Sequence, residues 1–142
     1  MMAASTKQLL YEVPVASTSF LKEAYWDGSR GGAIRFVYER DGQAVDARIE
    51  FQRVAAVRKL AEPYCSVWQI EECYDTLVEV QPSVWASETL LRVAANASPT
   101  INRELHHYMI YLDSVGCFEV LAKGWTFVES AARSEEGIES CQ

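Results

Sequence analysis

The chain has 142 residues and a formal net charge of -7, with 49% hydrophobic and 23% charged residues. This length and composition predict one globular domain that buries its own core, and they exclude a disordered or fibrous chain. The acidic balance argues against a nucleic-acid-binding protein, because phosphate contacts need a basic surface.

Neither a membrane segment nor a metal site is predicted. No run approaches the roughly 18 apolar residues that span a bilayer, and residues 1–19 lack the continuous apolar stretch of a signal peptide. The four cysteines, Cys65, Cys73, Cys117 and Cys141, have no C-x-x-C spacing. We therefore expect a cytoplasmic protein whose cysteines are thiols and which needs no metal or cofactor.

The first half of the chain predicts mainly strands. A strand over residues 8–13 ends at Pro14, a short helix is predicted around residues 20–25, and residues 28–32 form a glycine-rich loop. Residues 33–39 and 44–51 alternate apolar and polar side chains on either side of Asp41-Gly42, which predicts a hairpin. The phase shifts near residues 54–57, so we expect a bend there, with a helix over 51–60 as the alternative.

The second half combines further strands with one longer helix. Residues 67–71 and 76–80 resemble short strands. Ser83 is the predicted N-cap of a helix, because Val84, Ser87, Leu90, Leu91 and Ala94 follow it at close to helical spacing. Residues 96–100 form a loop. Residues 105–112 and 117–128 then predict a hairpin that turns at Asp113-Ser114-Val115-Gly116 and lies centrally in a sheet, since both its faces are apolar.

These elements predict an α+β domain. We expect a twisted, mostly antiparallel sheet of about six or seven strands with one or two helices against it, and a partly closed barrel as the alternative. The globular domain should cover residues 1–129, followed by a flexible acidic tail over residues 130–142.

Two segments carry a resemblance to other proteins. They are residues 68–80 (WQIEECYDTLVEV), with Ser83 and Trp85 behind them, and residues 106–122 (HHYMIYLDSVGCFEVLA). Together they resemble a group of small, uncharacterised bacterial proteins with similar strings in the same order, over about half of the chain. The resemblance implies a free-standing bacterial domain and transfers no functional residue. The small size and acidity are also similar to those of bacterial toxin-immunity proteins. This similarity concerns the general class of protein and no particular residue.

His106 and His107 are the only histidines. Adjacent residues of a strand point to opposite faces, so the pair is a poor metal site. Either ring could form an acid–base pair with Glu79, Asp113 or Glu119 on a neighbouring strand, although a histidine satisfied by one hydrogen bond is the more common situation. No G-x-S-x-G elbow, Walker A loop or G-x-G-x-x-G motif is present.

The acidic segment over residues 62–88 is the leading candidate for a binding surface. It contains six acidic residues and no lysine or arginine. The predicted partner-binding residues are Trp68, Glu71, Glu72, Tyr74 and Asp75. Aromatic side chains supply interface energy and carboxylates steer a basic partner, so we expect a non-enzymatic protein-binding module, with immunity or inhibition as its concrete form. The same aromatics could instead be core residues beside a solvated acidic face.

A pocket between the sheet and the Ser83 helix is the second functional hypothesis. It would make the protein a small-ligand-binding protein or a cofactorless enzyme. The expected lining residues are His107, Tyr111, Glu79 and Trp85. A homo-oligomer is compatible with either hypothesis.

Overall fold

The computed structural model describes residues 4–96 and 104–131. Within them the protein is α+β, as the sequence predicts, with nine strands and two helices. The strands are β1 (Thr6–Glu12), β2 (Lys22–Asp27), β3 (Ala33–Arg40), β4 (Gln43–Gln52), β5 (Ala56–Ala61), β6 (Thr76–Gln81), β7 (His106–Leu112), β8 (Gly116–Ala122) and β9 (Gly124–Ala131). The helices are the one-turn α1 (Val67–Ile70) and the longer α2 (Val84–Asn96).

The strands form two antiparallel sheets instead of the single sheet that we expected. One sheet has the order β1-β6-β7-β8-β5, and the other has the order β2-β3-β4-β9. The predicted strand over residues 117–128 is therefore wrong. It breaks at Lys123, where β8 ends in the five-stranded sheet and β9 begins in the four-stranded one, paired with β4.

The main core lies between the two sheets. Phe36, Ile49 and Phe51 contribute to it from the four-stranded sheet, and Ile110 and Phe118 from the five-stranded one; each is at most 3% exposed. Burial of such side chains stabilises the fold by roughly 1.5–3 kcal/mol each. Aromatic contacts join the layers, including Phe51 with Tyr108, whose ring centroids are 5.6 Å apart.

The opposite face of the five-stranded sheet also carries buried side chains, and it positions the candidate site. Val78, Met109 and Cys117 belong to a second cluster that Ile70 of α1 covers. Both α1 and α2 contact β7. Because side chains alternate along a strand, His107 on β7 and Glu119 on β8 share this outer face with Met109 and Cys117.

Both predicted hairpins are confirmed. β3 and β4 pair from Ala33 with Glu50 to Arg40 with Gln43, and Asp41 and Gly42 of the turn have positive φ. β7 and β8 pair in register and lie inside the five-stranded sheet. Ser83 is confirmed as the N-cap of α2, since its Oγ accepts a hydrogen bond from the Ala86 N–H at 3.0 Å.

Two local predictions are wrong, and a third segment follows the main expectation. Residues 20–25 contribute to the strand β2, because pairing with β3 buries Ala24 in the core. Residues 67–71 contain α1, where Ser66 begins a capping box: its N–H donates to Gln69 Oε1 at 2.7 Å. Residues 51–60 belong to two strands separated by a bend, as expected, and the alternative helix does not form.

The start of the predicted tail belongs to a strand, because β9 continues to Ala131. The remaining tail residues, 132–142, and most of the predicted loop over 96–100 lie outside the described residues.

Candidate functional site

The candidate site is a cleft of about 420 Å³ on the outer face of the five-stranded sheet, between α1 and the start of α2. We call it the tryptophan cleft. Its lining residues are Ala4, Ser5, Arg58, Trp68, Val80, Ser83, Val84, Trp85, His107 and Glu119. Strands β5, β6, β7 and β8 and both helices therefore contribute to one site.

Ser83 connects α2 to the sheet. Besides accepting from Ala86, its Oγ lies 2.7 Å from His107 Nδ1. The side chain therefore caps the helix through an acceptor lone pair while its O–H is free to donate to the imidazole. The sequence identifies the cap, because Ser83 precedes the helical pattern, but it does not identify the histidine contact.

His107 lies between a hydroxyl and a carboxylate. It is 6% exposed, and its Nε2 lies 2.7 Å from Glu119 Oε1. An ionised carboxylate only accepts hydrogen bonds, so in the neutral ring Nε2 carries the hydrogen and Nδ1 accepts the Ser83 hydroxyl hydrogen. This assignment of the tautomer satisfies both ring nitrogens.

Arg58 compensates the charge of Glu119. Its Nε lies 3.1 Å from Glu119 Oε2 and its Nη2 lies 3.1 Å from Oε1, which makes a bidentate pair. Burial raises the pKa of the Glu119 carboxyl, but the hydrogen bonds from His107 and Arg58 more than offset burial, so that this pKa lies below its usual value. Glu119 is therefore the anionic end of the network.

Two tryptophans supply the apolar lining. The Trp85 ring meets the His107 ring edge-on at 5.2 Å, and the Arg58 guanidinium lies 4.0 Å from the Trp85 ring centroid. Trp68 is 40% exposed, and Lys7 Nζ lies 4.1 Å from its ring centroid while donating to the carbonyl groups of Trp68 and Glu71. The positive charges of Arg58 and Lys7 are therefore already in contact with other groups of the protein.

The four residues expected to line a pocket are only partly brought together. His107 and Trp85 line the tryptophan cleft. Glu79 lies on the other face of the sheet, where His106 Nδ1 contacts its Oε2 at 2.7 Å and the hydrogen bond raises the pKa of His106. Tyr111 shares the face of His107, but its hydroxyl donates to Glu62 at 2.9 Å and it does not line the cleft.

The five residues expected to bind a partner separate into two groups. Trp68, Glu71 and Glu72 are exposed together at α1. Tyr74 is exposed beyond them, and its hydroxyl donates to Asp113 at 3.2 Å. Asp75 is half-buried and accepts the Ser17 N–H at 3.0 Å, so it connects two segments of the chain and is not part of the exposed acidic patch.

Arg58 is the charged site residue that the sequence did not reveal, and Ser83 was expected only as a helix cap. Arg58 lies opposite Glu119 in the register of β5 and β8. A charged residue within an alternating strand is the only local signal, and it does not identify the strand that will pair with it.

Comparison with known proteins finds no match: neither a family model, nor a curated protein, nor a solved structure resembles the chain significantly. Among the described residues there is no group of three or more His, Cys, Asp or Glu side chains that could hold a metal ion. In the same part of the chain, no helix is long and apolar enough to cross a membrane.

Proposed function

We propose that the protein binds a small organic molecule in the tryptophan cleft. The observation that carries the proposal is the pair of polar side chains at its floor, since His107 and Glu119 are only 6% and 7% exposed although they line an open cleft. Burial of an ionisable pair costs desolvation free energy, whereas burial of an apolar pair does not. Such buried ionisable pairs are concentrated at functional sites.

The lining favours a flat, uncharged ligand. Arg58 and Glu119 compensate each other, so the cleft offers little net charge to an ion. Trp68, Trp85 and Val84 present apolar surface, while Ser83 and His107 supply the few polar groups that orient a ligand. An aromatic molecule with one hydrogen-bond donor matches this combination, because Ser83 Oγ keeps a second lone pair after it accepts from Ala86.

The test uses benzamide as the probe and the four tryptophans as reporters. In a titration followed by ¹H–¹⁵N correlation spectra, we expect the indole N–H signals of Trp68 and Trp85 to move. The signals of Trp26 and Trp125, which pack against the core between the sheets, should stay in place and serve as internal controls. Four unmoved signals, or movement restricted to Trp26 and Trp125, would contradict the proposal.

A second candidate function is the binding of a basic protein, as an immunity or inhibitor protein does. A separate observation favours it: Tyr64 and Val67 are 76% and 70% exposed next to Trp68, Glu71 and Glu72. Exposed apolar groups bordered by charge are typical of interfaces. A cytoplasmic location belongs to the same proposal, and the free thiols of Cys65, Cys73 and Cys117 are compatible with a reducing compartment.

The second candidate is tested by reversing charge at α1. With a fluorescent oligoarginine peptide as the probe at low salt, the Glu71→Lys/Glu72→Lys variant should bind about tenfold more weakly than the unmodified protein. The Glu12→Lys/Glu39→Lys variant is the matched control, because it changes the net charge equally at exposed positions on β1 and β3. Equal weakening in both variants would mean that only the overall charge matters, and the α1 surface would be rejected.

A further inference from the structure

We infer that Ser83 is a nucleophile for acyl transfer from carboxylic esters, with His107 as its general base and Glu119 as the residue that positions His107. The inference rests on the proposed ligand site, because the same cleft would hold the ester. It adds a reaction and a substrate class to the binding function.

The hydrogen-bond chain is the first observation. Ser83 Oγ to His107 Nδ1 and His107 Nε2 to Glu119 Oε1 are each 2.7 Å. When Nδ1 takes the hydroxyl proton, the resulting imidazolium donates to Glu119, whose own position is held by Arg58. Nδ1 contacts the hydroxyl and Nε2 contacts the carboxylate. Either ring nitrogen can accept the serine proton, since such a relay is defined by geometry and roles.

The start of α2 supplies the second observation. The first intrahelical bond runs from the Ser87 N–H to the Ser83 carbonyl at 3.0 Å. The N–H groups of Val84 and Trp85 precede it, so helix geometry gives them no partner within α2. Together with the positive end of the 13-residue helix, these donors lie beside Ser83, where an oxyanion would form.

A capping role alone does not account for this arrangement. The cap uses a lone pair of Ser83 Oγ to accept from Ala86. It requires neither a histidine on the hydroxyl hydrogen nor a carboxylate buried behind that histidine. Burial of His107 and Glu119 is costly, so their placement behind a half-buried hydroxyl that lines the cleft is better explained by activation of the hydroxyl.

The reaction balances without a co-reactant other than water. Ser83 Oγ forms a bond to the ester carbonyl carbon, the bond from that carbon to the alcohol oxygen breaks, and His107 transfers the serine proton to the departing oxygen. Water then attacks the acyl-serine while His107 accepts a water proton. The carboxylic acid leaves, and the proton returns to Ser83. The indole lining favours esters of flat, apolar acyl groups.

The experiment measures covalent labelling by a fluorophosphonate. A serine nucleophile attacks its phosphorus, so that an Oγ–P bond forms, the P–F bond breaks and fluoride leaves. We expect one adduct by intact mass, located on Ser83 by peptide mapping. Ser83→Gly removes the nucleophile while glycine retains most of the capping stability, so its adduct should be absent. Ser87→Ala, at an exposed serine of the same helix, is the matched control and should label normally.

Two further variants separate activation from folding. His107→Gln should slow labelling by about 100-fold or more, the usual contribution of a general base. Glu119→Gln should also slow labelling, while the Trp85 indole signal still moves on addition of benzamide. If Glu119 had only a structural role, its replacement would impair ligand binding together with labelling. Equal labelling rates in the unmodified protein and the His107→Gln variant would overturn the proposed base.

The outcomes distinguish this inference from the binding proposal. Movement of the Trp68 and Trp85 signals without any adduct would overturn the nucleophile and leave ligand binding in place. An adduct that persists in Ser83→Gly would also overturn it. Absence of both the signal changes and the adduct would reject the inference together with the proposed function.

Discussion

Replacement of Gly116 by alanine is expected to destabilise the protein by about 3 kcal/mol or more. Gly116 begins β8 at φ +122°, and a Cβ there would lie 2.1 Å from the Leu60 carbonyl oxygen and 2.8 Å from the Glu62 nitrogen. These are backbone atoms of the neighbouring segment, so no side chain can move aside. Relief of the clash requires separation of β8 from β5, and urea denaturation monitored by circular dichroism measures the loss.

Gly42→Ala is the matched control for this substitution. Gly42 also has positive φ, at +79°, but a Cβ there would meet nothing within 4 Å. Alanine at this position should therefore lower the free energy of unfolding by only about 1 kcal/mol, the cost of holding a residue with a Cβ in the left-handed backbone conformation. If the two variants lose equal stability, the close approach of Gly116 to the end of β5 is not present in solution.

The local parts of the fold could be predicted from sequence because their signals lie within a few residues. Asp41-Gly42 between two alternating segments identifies the β3–β4 hairpin. The apolar stretches on both sides of the turn before Gly116 identify the β7–β8 hairpin in the same way. Residues 67–71 resemble a strand because Val67, Trp68 and Ile70 favour strands, while the weaker signal of the Ser66 and Gln69 capping box determines the helix.

The division into two sheets could not be predicted in this way. Alternation shows that β8 and β9 are strands but does not show which strand each of them pairs with. Lys123 separates them, and its N–H donates to the Gln52 carbonyl at 2.8 Å, where the chain joins β4 in the other sheet. That contact joins segments far apart in sequence, so no local pattern encodes it.

The candidate site shows the same limit. The two-residue period of a strand correctly predicts that His106 and His107 face opposite sides, and helix spacing predicts the Ser83 cap. The contact of Ser83 with His107 depends on where α2 lies on the sheet, and the contact of Arg58 with Glu119 depends on strand register. Neither property is local, so the site emerges only when the sheet is assembled.

Glu119→Ala is expected to cost about 2–3 kcal/mol at neutral pH, because it leaves a buried donor unsatisfied, and it tests whether the buried network is held by its carboxylate. The substitution removes the acceptor for buried His107 and leaves that Nε2–H without its partner. Arg58→Ala is the control from the other end of the ion pair. The Arg58 side chain is 52% exposed and water can replace part of its role for Glu119, so its loss should cost about 1 kcal/mol or less.

The pH dependence of the same variant identifies the responsible group. Because the pKa of Glu119 is lower in the folded protein than its usual 4.5, the ionised carboxylate stabilises the fold above that usual value. This contribution declines as the pH falls below 4.5 towards the lowered pKa and is lost beneath it. The measurement is urea denaturation at a series of pH values from 7 to 3. The difference in the free energy of unfolding between the unmodified protein and Glu119→Ala should narrow only below about pH 4.5. A difference that stays constant on acidification would mean that the side chain stabilises the sheet by packing and that its charge contributes nothing to the site.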